Sequence, residues 1–374
     1  MSYDFDTLKV QAGYRASEHN YAVSVPIYQT TAFALGDSYR ADRLFSFSES
    51  DPIYTRLSNP TVDVLEKRAA ALHGVTDAIA LASGMAAVSY ALLSAAGKGG
   101  RILTTARLYG GTVDSLGHLF PELGIKIDFV ENPDRIEEFE EKLAPGTKAI
   151  LIESLTNPFA TIPDFEAIAR IAHAYGILLI VDNTVATPYL FNPFEYGADV
   201  VVYSATKALS GHGNVIAGLV LENGTFDYGN GNYPHFEKPL WFLRDEHDEP
   251  RSILQVFPQN PFTGRLRAIH LNYLGAALSP FDAYLVLIGS GDPLGTGGKA
   301  GFQHACGSGI SGTERACPVG ALPVRPGQQI PRFGRPLFPK GCGFYFILRF
   351  SRHGRTEKSL SGLCEGVRLP GQYR

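Results

Sequence analysis

Residues 199–207 read Asp-Val-Val-Val-Tyr-Ser-Ala-Thr-Lys, followed by Ala208, Leu209, Ser210, Gly211, His212 and Gly213. An apolar run that ends in two hydroxyls, Ser204 and Thr206, and a primary amine, Lys207, delivers two kinds of chemistry to one place. Hydroxyls two residues apart suit phosphate oxygens, and the amine beside them suits a Schiff base with an aldehyde. Lys207 also reads as an ordinary surface lysine at a strand exit. A second apolar run, 177–181, ends on Asp182. A carboxylate there is unfavourable unless something partners it. A pyridine nitrogen is such a partner, kept protonated by the acid so that the ring draws in electrons; a helix cap for the segment after Asn183 is the other reading. One ligand accounts for both residues better than two coincidences do.

Ala82-Ser83-Gly84-Met85-Ala86-Ala87 reads as a strand end followed by a helix of small residues. The first N–H groups of such a helix form an anion site, with Gly84 permitting close approach, although packing explains small residues there equally well. Neither G-x-x-x-x-G-K-[ST] nor a post-strand G-x-G-x-x-G is present. Tyr109, next to Gly110 and Gly111, could stack on a flat ring or be a half-buried loop residue. No metal site is expected. His247 has no second ligand at suitable spacing, and Cys306, Cys317, Cys342 and Cys364 contain no C-x2-C pair.

The elements that must position these groups are legible as short apolar runs at 78–82, 102–104, 126–130, 149–152, 177–181, 199–203 and 216–221, separated by helix-like stretches such as 164–175. Continuous runs mean strands covered on both faces, hence an α/β domain with a mostly parallel sheet and ligands beyond the carboxyl ends of its strands. Asn59-Pro60 followed by Val62, Leu65, Ala69, Leu72 and Gly74 predicts a capped helix. Residues 223–262 look loop-rich, and the periodicity over 262–287 predicts one long helix leading to a second domain. With 374 residues, 45% hydrophobic and 19% charged, the chain is long enough for two domains. No membrane span or signal peptide is expected, so the protein is placed in the cytoplasm. A net charge of −4 points away from nucleic acid and membrane partners. That sum conceals net −12 over 1–289 and net +8 over 290–374, where 25 of 85 residues are Gly or Pro and all four Cys lie; such composition predicts low complexity or disorder.

Together these segments resemble a known family, the fold type I pyridoxal-phosphate enzymes of cysteine and methionine metabolism. The likeness is carried by PIYQTTAF at 26–33, YTRLSNPT at 54–61, ASGMAA at 82–87, ESLTNP at 153–158, VDNT at 181–184 and SATK at 204–207, with Ala208 where the family usually has a bulkier residue. The resemblance implies an aminotransferase-like α/β fold, with a mostly parallel seven-stranded sheet between helices, and pyridoxal 5'-phosphate as cofactor. Lys207 would be the Schiff-base lysine and proton shuttle, Asp182 the partner of the pyridine nitrogen, Tyr109 the stacking ring and Asn157 the partner of the ring 3-hydroxyl. Ser83, Gly84, Met85, Ser204 and Thr206 would surround the phosphate. Tyr54 and Arg56 would reach in from a neighbouring subunit, so a homodimer or homotetramer is expected.

Within the family, FDYGNGNYP at 226–234 and LGAALSPF at 274–281 resemble the O-acetylhomoserine sulfhydrylase branch. This implies γ-replacement: O-acetylhomoserine plus sulfide or a thiol gives homocysteine or methionine and acetate. A cystathionine γ-synthase or γ-lyase type reaction is the alternative. So is a cofactor-binding but inactive relative, because no Arg of 290–374 matches the family's Arg that grips the substrate carboxylate. The implied organisation is an arm, 1–58, contributing to the neighbouring subunit's site; a cofactor domain, 59–262; a connecting helix, 263–289; and an aberrant or disordered C-terminal segment, 290–374. The likeness also lapses over 240–254, and both lapses are abrupt enough to suggest out-of-frame translation, which reading the coding DNA in the other frames would test.

Overall fold

Every apolar run expected to be a strand is one. In the computed structural model, which describes residues 3–157 and 159–291, β1 (Asp77–Leu81), β2 (Arg101–Thr105), β3 (Lys126–Val130), β4 (Thr147–Glu153), β5 (Leu178–Asp182), β6 (Val200–Ser204) and β7 (Gly218–Glu222) form one sheet in the order β1-β7-β6-β5-β4-β2-β3. Only β7 is reversed, pairing antiparallel with both β1 and β6. The runs are continuous because both faces are covered. Leu179 and Val181 of β5 enter one core with the helices Pro60–His73 and Phe165–Ala174, whereas Leu178 and Ile180 enter the other with the helix Gly84–Ala96. Each fully buried aliphatic side chain contributes about 1.5–3 kcal/mol, and a polar residue in mid-strand would forfeit that on either face.

The helix Pro60–His73 starts and stops as its sequence dictates. The Asn59 side chain accepts the Thr61 N–H at 3.0 Å, and Gly74 ends it at φ +67°, a conformation that suits glycine. The single helix expected over 262–287 is not formed. Short helical segments run from Pro261 to Leu274, Gly275 turns left-handed at φ +79°, and a new helix, Pro280–Gly291, begins after the break. Gly275 acts as a C-terminal stop, and Ser279-Pro280 starts the next helix, so one periodic pattern covers two helices.

Residues 240–254, where the family likeness lapses, form the hairpin Leu240–Arg244 with Pro250–Arg251 and the turn of helix Ile253–Val256. Leu243 and Ile253 are fully buried in the core, so this stretch is integrated into the domain, which an out-of-frame segment would not be expected to achieve. Residues 3–58 contain no strand and expose Tyr21, Val23 and Tyr39. Among the described residues no helix is long and apolar enough to cross a membrane. The expectations for 292–374 lie outside the described residues.

Candidate active site at the carboxyl edge of the sheet

β4, β5 and β6 end side by side on Glu153, Asp182 and Ser204, with Glu153 opposite Asp182 in the parallel register. Asp182 is aimed by its neighbour two residues on. Its Oδ1 accepts the Thr184 N–H at 2.9 Å and the Thr184 hydroxyl at 2.5 Å, while Oδ2 has no hydrogen-bond partner among the described residues. Burial pushes this carboxyl above the ordinary carboxylate range, and the Thr184 bonds pull it back. Thr184 Oγ1 also accepts the Ser204 N–H at 2.8 Å, so one threonine ties the acid of β5 to the end of β6.

Behind this edge runs a buried polar chain. Asn183 Nδ2 donates to Tyr203 Oη at 2.6 Å, Tyr203 lies 2.7 Å from His73 Nε2, and His73 Nδ1 lies 2.8 Å from Asn192 Oδ1. Burial lowers the His73 pKa to about 4, so the ring is neutral: it donates to Asn192 and accepts from Tyr203. The chain ties the ends of β5 and β6 to the helix Pro60–His73.

Lys207 lies in the turn after β6. Its N–H donates to Ser204 O at 3.1 Å, and its carbonyl accepts from Gly211 at 2.9 Å. The side chain is exposed, and Nζ has no hydrogen-bond or ion-pair partner among the described residues. The turn itself is pinned, since Ala205 and Ser210 are fully buried and Ser210 Oγ donates to Thr206 O at 3.2 Å. The helix Pro280–Gly291 presses on it at Gly289, where an added Cβ would stand 1.9 Å from Ser210 O.

The helix Gly84–Ala96 approaches the same edge. Ser83 caps it by accepting the Ala86 N–H at 3.1 Å, while the N–H groups of Gly84 and Met85 have no partner among the described residues, as a first helical turn requires. A Cβ on Gly84 would meet Ser204 Cβ at 2.5 Å, and one on Gly218 would meet Ser83 O at 2.1 Å. Two glycines thus allow the helix start, β7 and Ser204 to converge. Thr206 sits beside them, but its hydroxyl is engaged by the Ala217 main chain, donating at 3.3 Å and accepting at 3.0 Å.

Tyr109 precedes the helix Gly110–Glu122 and is half exposed; its ring lies over Gly111, where a Cβ would come within 2.7 Å of it. Its N–H donates to Glu153 Oε1 at 2.6 Å, and the N–H of the exposed Asn157 donates to Glu153 Oε2 at 2.9 Å. The structure therefore brings Lys207, Asp182, Ser83, Gly84, Met85, Ser204, Thr206, Tyr109 and Asn157 to one end of the sheet. Tyr54 and Arg56 are not joined to them. Both are exposed, the Arg56 guanidinium lies 5.3 Å from the Tyr54 ring centroid, and neither forms a hydrogen bond or ion pair with the site residues.

Reading by residue type overlooked Glu153 and Thr184. Glu153 is 5% exposed, and burial followed by the neighbouring Asp182 pushes its pKa up to about 8. Both lie inside segments with recognisable patterns, ESLTNP and VDNT. A lone acid ending an apolar run was the available signal for Glu153, the same signal that singled out Asp182.

Residues 6–290 match the model of a family described as Cys/Met metabolism PLP-dependent enzyme. The sulfhydrylase FUB7 of Gibberella moniliformis is 41% identical over 289 residues, covering 76% of this chain and 65% of that one. The O-acetyl-L-homoserine sulfhydrylase of Leptospira meyeri is 40% identical over 292 residues with the same coverage. The chain thus matches just under two thirds of the length of these curated relatives. Among solved structures, an O-acetylhomoserine (thiol)-lyase of Campylobacter jejuni, bearing N'-pyridoxyl-lysine-5'-monophosphate, superposes with a TM-score of 0.73 at 36% identity, covering 78% of this chain and 71% of that one.

Proposed function

The chain belongs to the Cys/Met metabolism PLP-dependent enzymes, and from that premise we propose that it catalyses γ-replacement on O-acetylhomoserine, exchanging acetate for sulfide or a thiol to give homocysteine or methionine. The observation that carries this reading is the pairing of open valences at one sheet edge: Asp182 keeps a free Oδ2, and Lys207 keeps a free Nζ, among the described residues.

The residues present fit pyridoxal 5'-phosphate. The cradle closed by Gly84 against Ser204 has room only for a backbone without a side chain. It offers the unpaired N–H groups of Gly84 and Met85 with the Ser83 and Ser204 hydroxyls, a donor set suited to a phosphate at a helix start. Thr206 joins that set on rotating away from Ala217. Asp182 Oδ2 would face the pyridine nitrogen, Tyr109 the ring and Asn157 the 3-hydroxyl. When bound, the cofactor supplies an aldehyde for amines and an electron-withdrawing ring. Lys207 Nζ would make the covalent attachment, then take the substrate's Cα proton once the substrate amine displaces it. Asp182 would hold the ring proton in place throughout, its own orientation fixed by Thr184.

The arm 1–58 would complete the site of a second copy, since Tyr54 and Arg56 are exposed and unattached to the site of their own chain; this makes the enzyme a homodimer or a dimer of dimers, acting in the cytoplasm. The decisive experiment adds pyridoxal 5'-phosphate to the purified chain, follows the lysine-linked absorbance band, and measures homocysteine formed from O-acetylhomoserine and sulfide. Band and product together support the reading. A band without product makes the chain a cofactor-binding relative that does not turn over, and absence of the band removes the site assignment.

A further inference from the structure

We propose that Glu153 is a positioning residue that clamps the Tyr109 loop to the Asn157 loop beside Asp182, so that the face and the edge of the cofactor ring are addressed by one rigid unit. The proposal rests on the functional reading above and deepens it. Each carboxylate oxygen has its own task. Oε1 takes the Tyr109 N–H at 2.6 Å and Oε2 takes the Asn157 N–H at 2.9 Å, joining loops 48 residues apart in sequence. No Lys, Arg or His forms an ion pair with Glu153 among the described residues, so the two N–H groups are what hold this buried acid.

Glu222 at the opposite edge is also held by two N–H groups and stands opposite Asp77 in the register; Glu153 differs in what its two donors carry, the Tyr109 and Asn157 loops of the site. Its register neighbour Asp182 raises the energy of the Glu153 charge. A carboxyl group is nevertheless the side chain suited to this place, because once ionised, above its pKa of about 8, it presents two acceptors in a fork and no donor. Tyr109 is aimed twice as a result, its backbone by Glu153 and its ring by the bare Cα of Gly111. Thr184 performs the matching task one strand over, where it fixes Asp182 to Ser204.

The test is Glu153→Gln, whose amide offers one acceptor and turns a donor toward the other N–H. Pyridoxal 5'-phosphate affinity of the cofactor-free protein, measured at about pH 9 where Glu153 is ionised, should fall about tenfold, as expected for loss of one hydrogen bond to a charged group. Amide hydrogen exchange should quicken at Tyr109 or Asn157 while β5 and β6 keep their protection. Glu222→Gln serves as control, since it removes a buried acid at the opposite edge and should leave cofactor affinity unchanged. Equal affinity and unchanged exchange in Glu153→Gln would overturn the proposal. So would an affinity loss matched by Glu222→Gln, which would mark a general stability effect. If Glu153→Gln does not fold, Glu153→Asp, one methylene too short to span both loops, should show the same affinity loss; wild-type affinity in that variant would equally overturn it. Failure of the wild-type chain to bind the cofactor would instead remove the functional reading itself.

Discussion

The two edges of the sheet hold buried acids in similar number but leave them in different states. At the amino edge, Asp199 accepts from Leu179 N at 2.8 Å and meets His173 Nε2 at 3.0 Å, and Asp77 accepts from Asn260 and Thr263. Glu222 there accepts from the N–H groups of Phe262 and Thr263. At the carboxyl edge, Glu153 is satisfied by two loops, but Asp182 Oδ2 and Lys207 Nζ are left open among the described residues. Perturbed acidity does not separate the edges, because burial raises Glu222 to about 7 and Glu153 to about 8 alike. The kind of group left open does. Among the described residues the amino edge leaves one carboxylate oxygen, Asp77 Oδ1, without a partner, whereas the carboxyl edge leaves both an acid oxygen, Asp182 Oδ2, and an amine, Lys207 Nζ.

The contrast predicts opposite consequences for substitutions at the two edges. Lys207→Ala should lower turnover at least about a thousandfold and abolish the lysine-linked absorbance band, yet leave the Tm of the cofactor-free protein unchanged, because Nζ has no hydrogen-bond or ion-pair partner among the described residues. Asp182→Asn keeps an acceptor for Thr184 but removes the charge; steady-state kinetics should show kcat reduced about a hundredfold, with no loss in Tm. Glu222→Ala should do the reverse. It leaves the Phe262 and Thr263 N–H groups unpaired and should reduce stability by about 2–3 kcal/mol in denaturant titration, with cofactor affinity intact.

The smallest effect is one of pH. Glu153 and Glu222 have folded pKa values above the ordinary 4.5, so from about pH 4.5 to 8 the folded state binds more protons than the unfolded, and their contribution to stability declines as pH rises. His73 and His235, lowered by burial to about 4, act in the other direction, but their effect is complete once pH exceeds about 6.5. Stability of the cofactor-free protein should therefore fall between about pH 6.5 and 8.5, and Glu222→Gln should flatten that slope. A wild-type stability that rises across the interval would contradict the comparison.

The strands were legible because burial on both faces imposes uninterrupted apolar residues, and 177–181 or 199–203 admit no other economical reading. Asp182 was legible for the same reason, as the first polar group after such a run, and Lys207 as the amine that follows the hydroxyls of Ser204 and Thr206 after the other. The break at Gly275 was not, since helical periodicity continues across it and a single left-handed residue leaves the apolar spacing intact. Glu153 and Thr184 escaped because they act on other residues of the site: a clamp is recognised by what it holds, and the Tyr109 and Asn157 amides carry no mark in a sequence. Thr206 shows the limit from the other side. Its type and spacing suit a phosphate, while its hydroxyl rests on the Ala217 main chain.

Gly289 lies 82 residues beyond Lys207 and has no side chain, yet its Cα is packed against the carbonyl of Ser210, three residues from the amine. The contact is a mechanical stop. Any side chain there would have to displace the turn that carries Lys207, so the helix Pro280–Gly291 bounds how far that turn can move toward it. The place of the Lys207 backbone is thereby bounded by a helix outside the sheet, at a position that a scan of residues by chemical type would pass over.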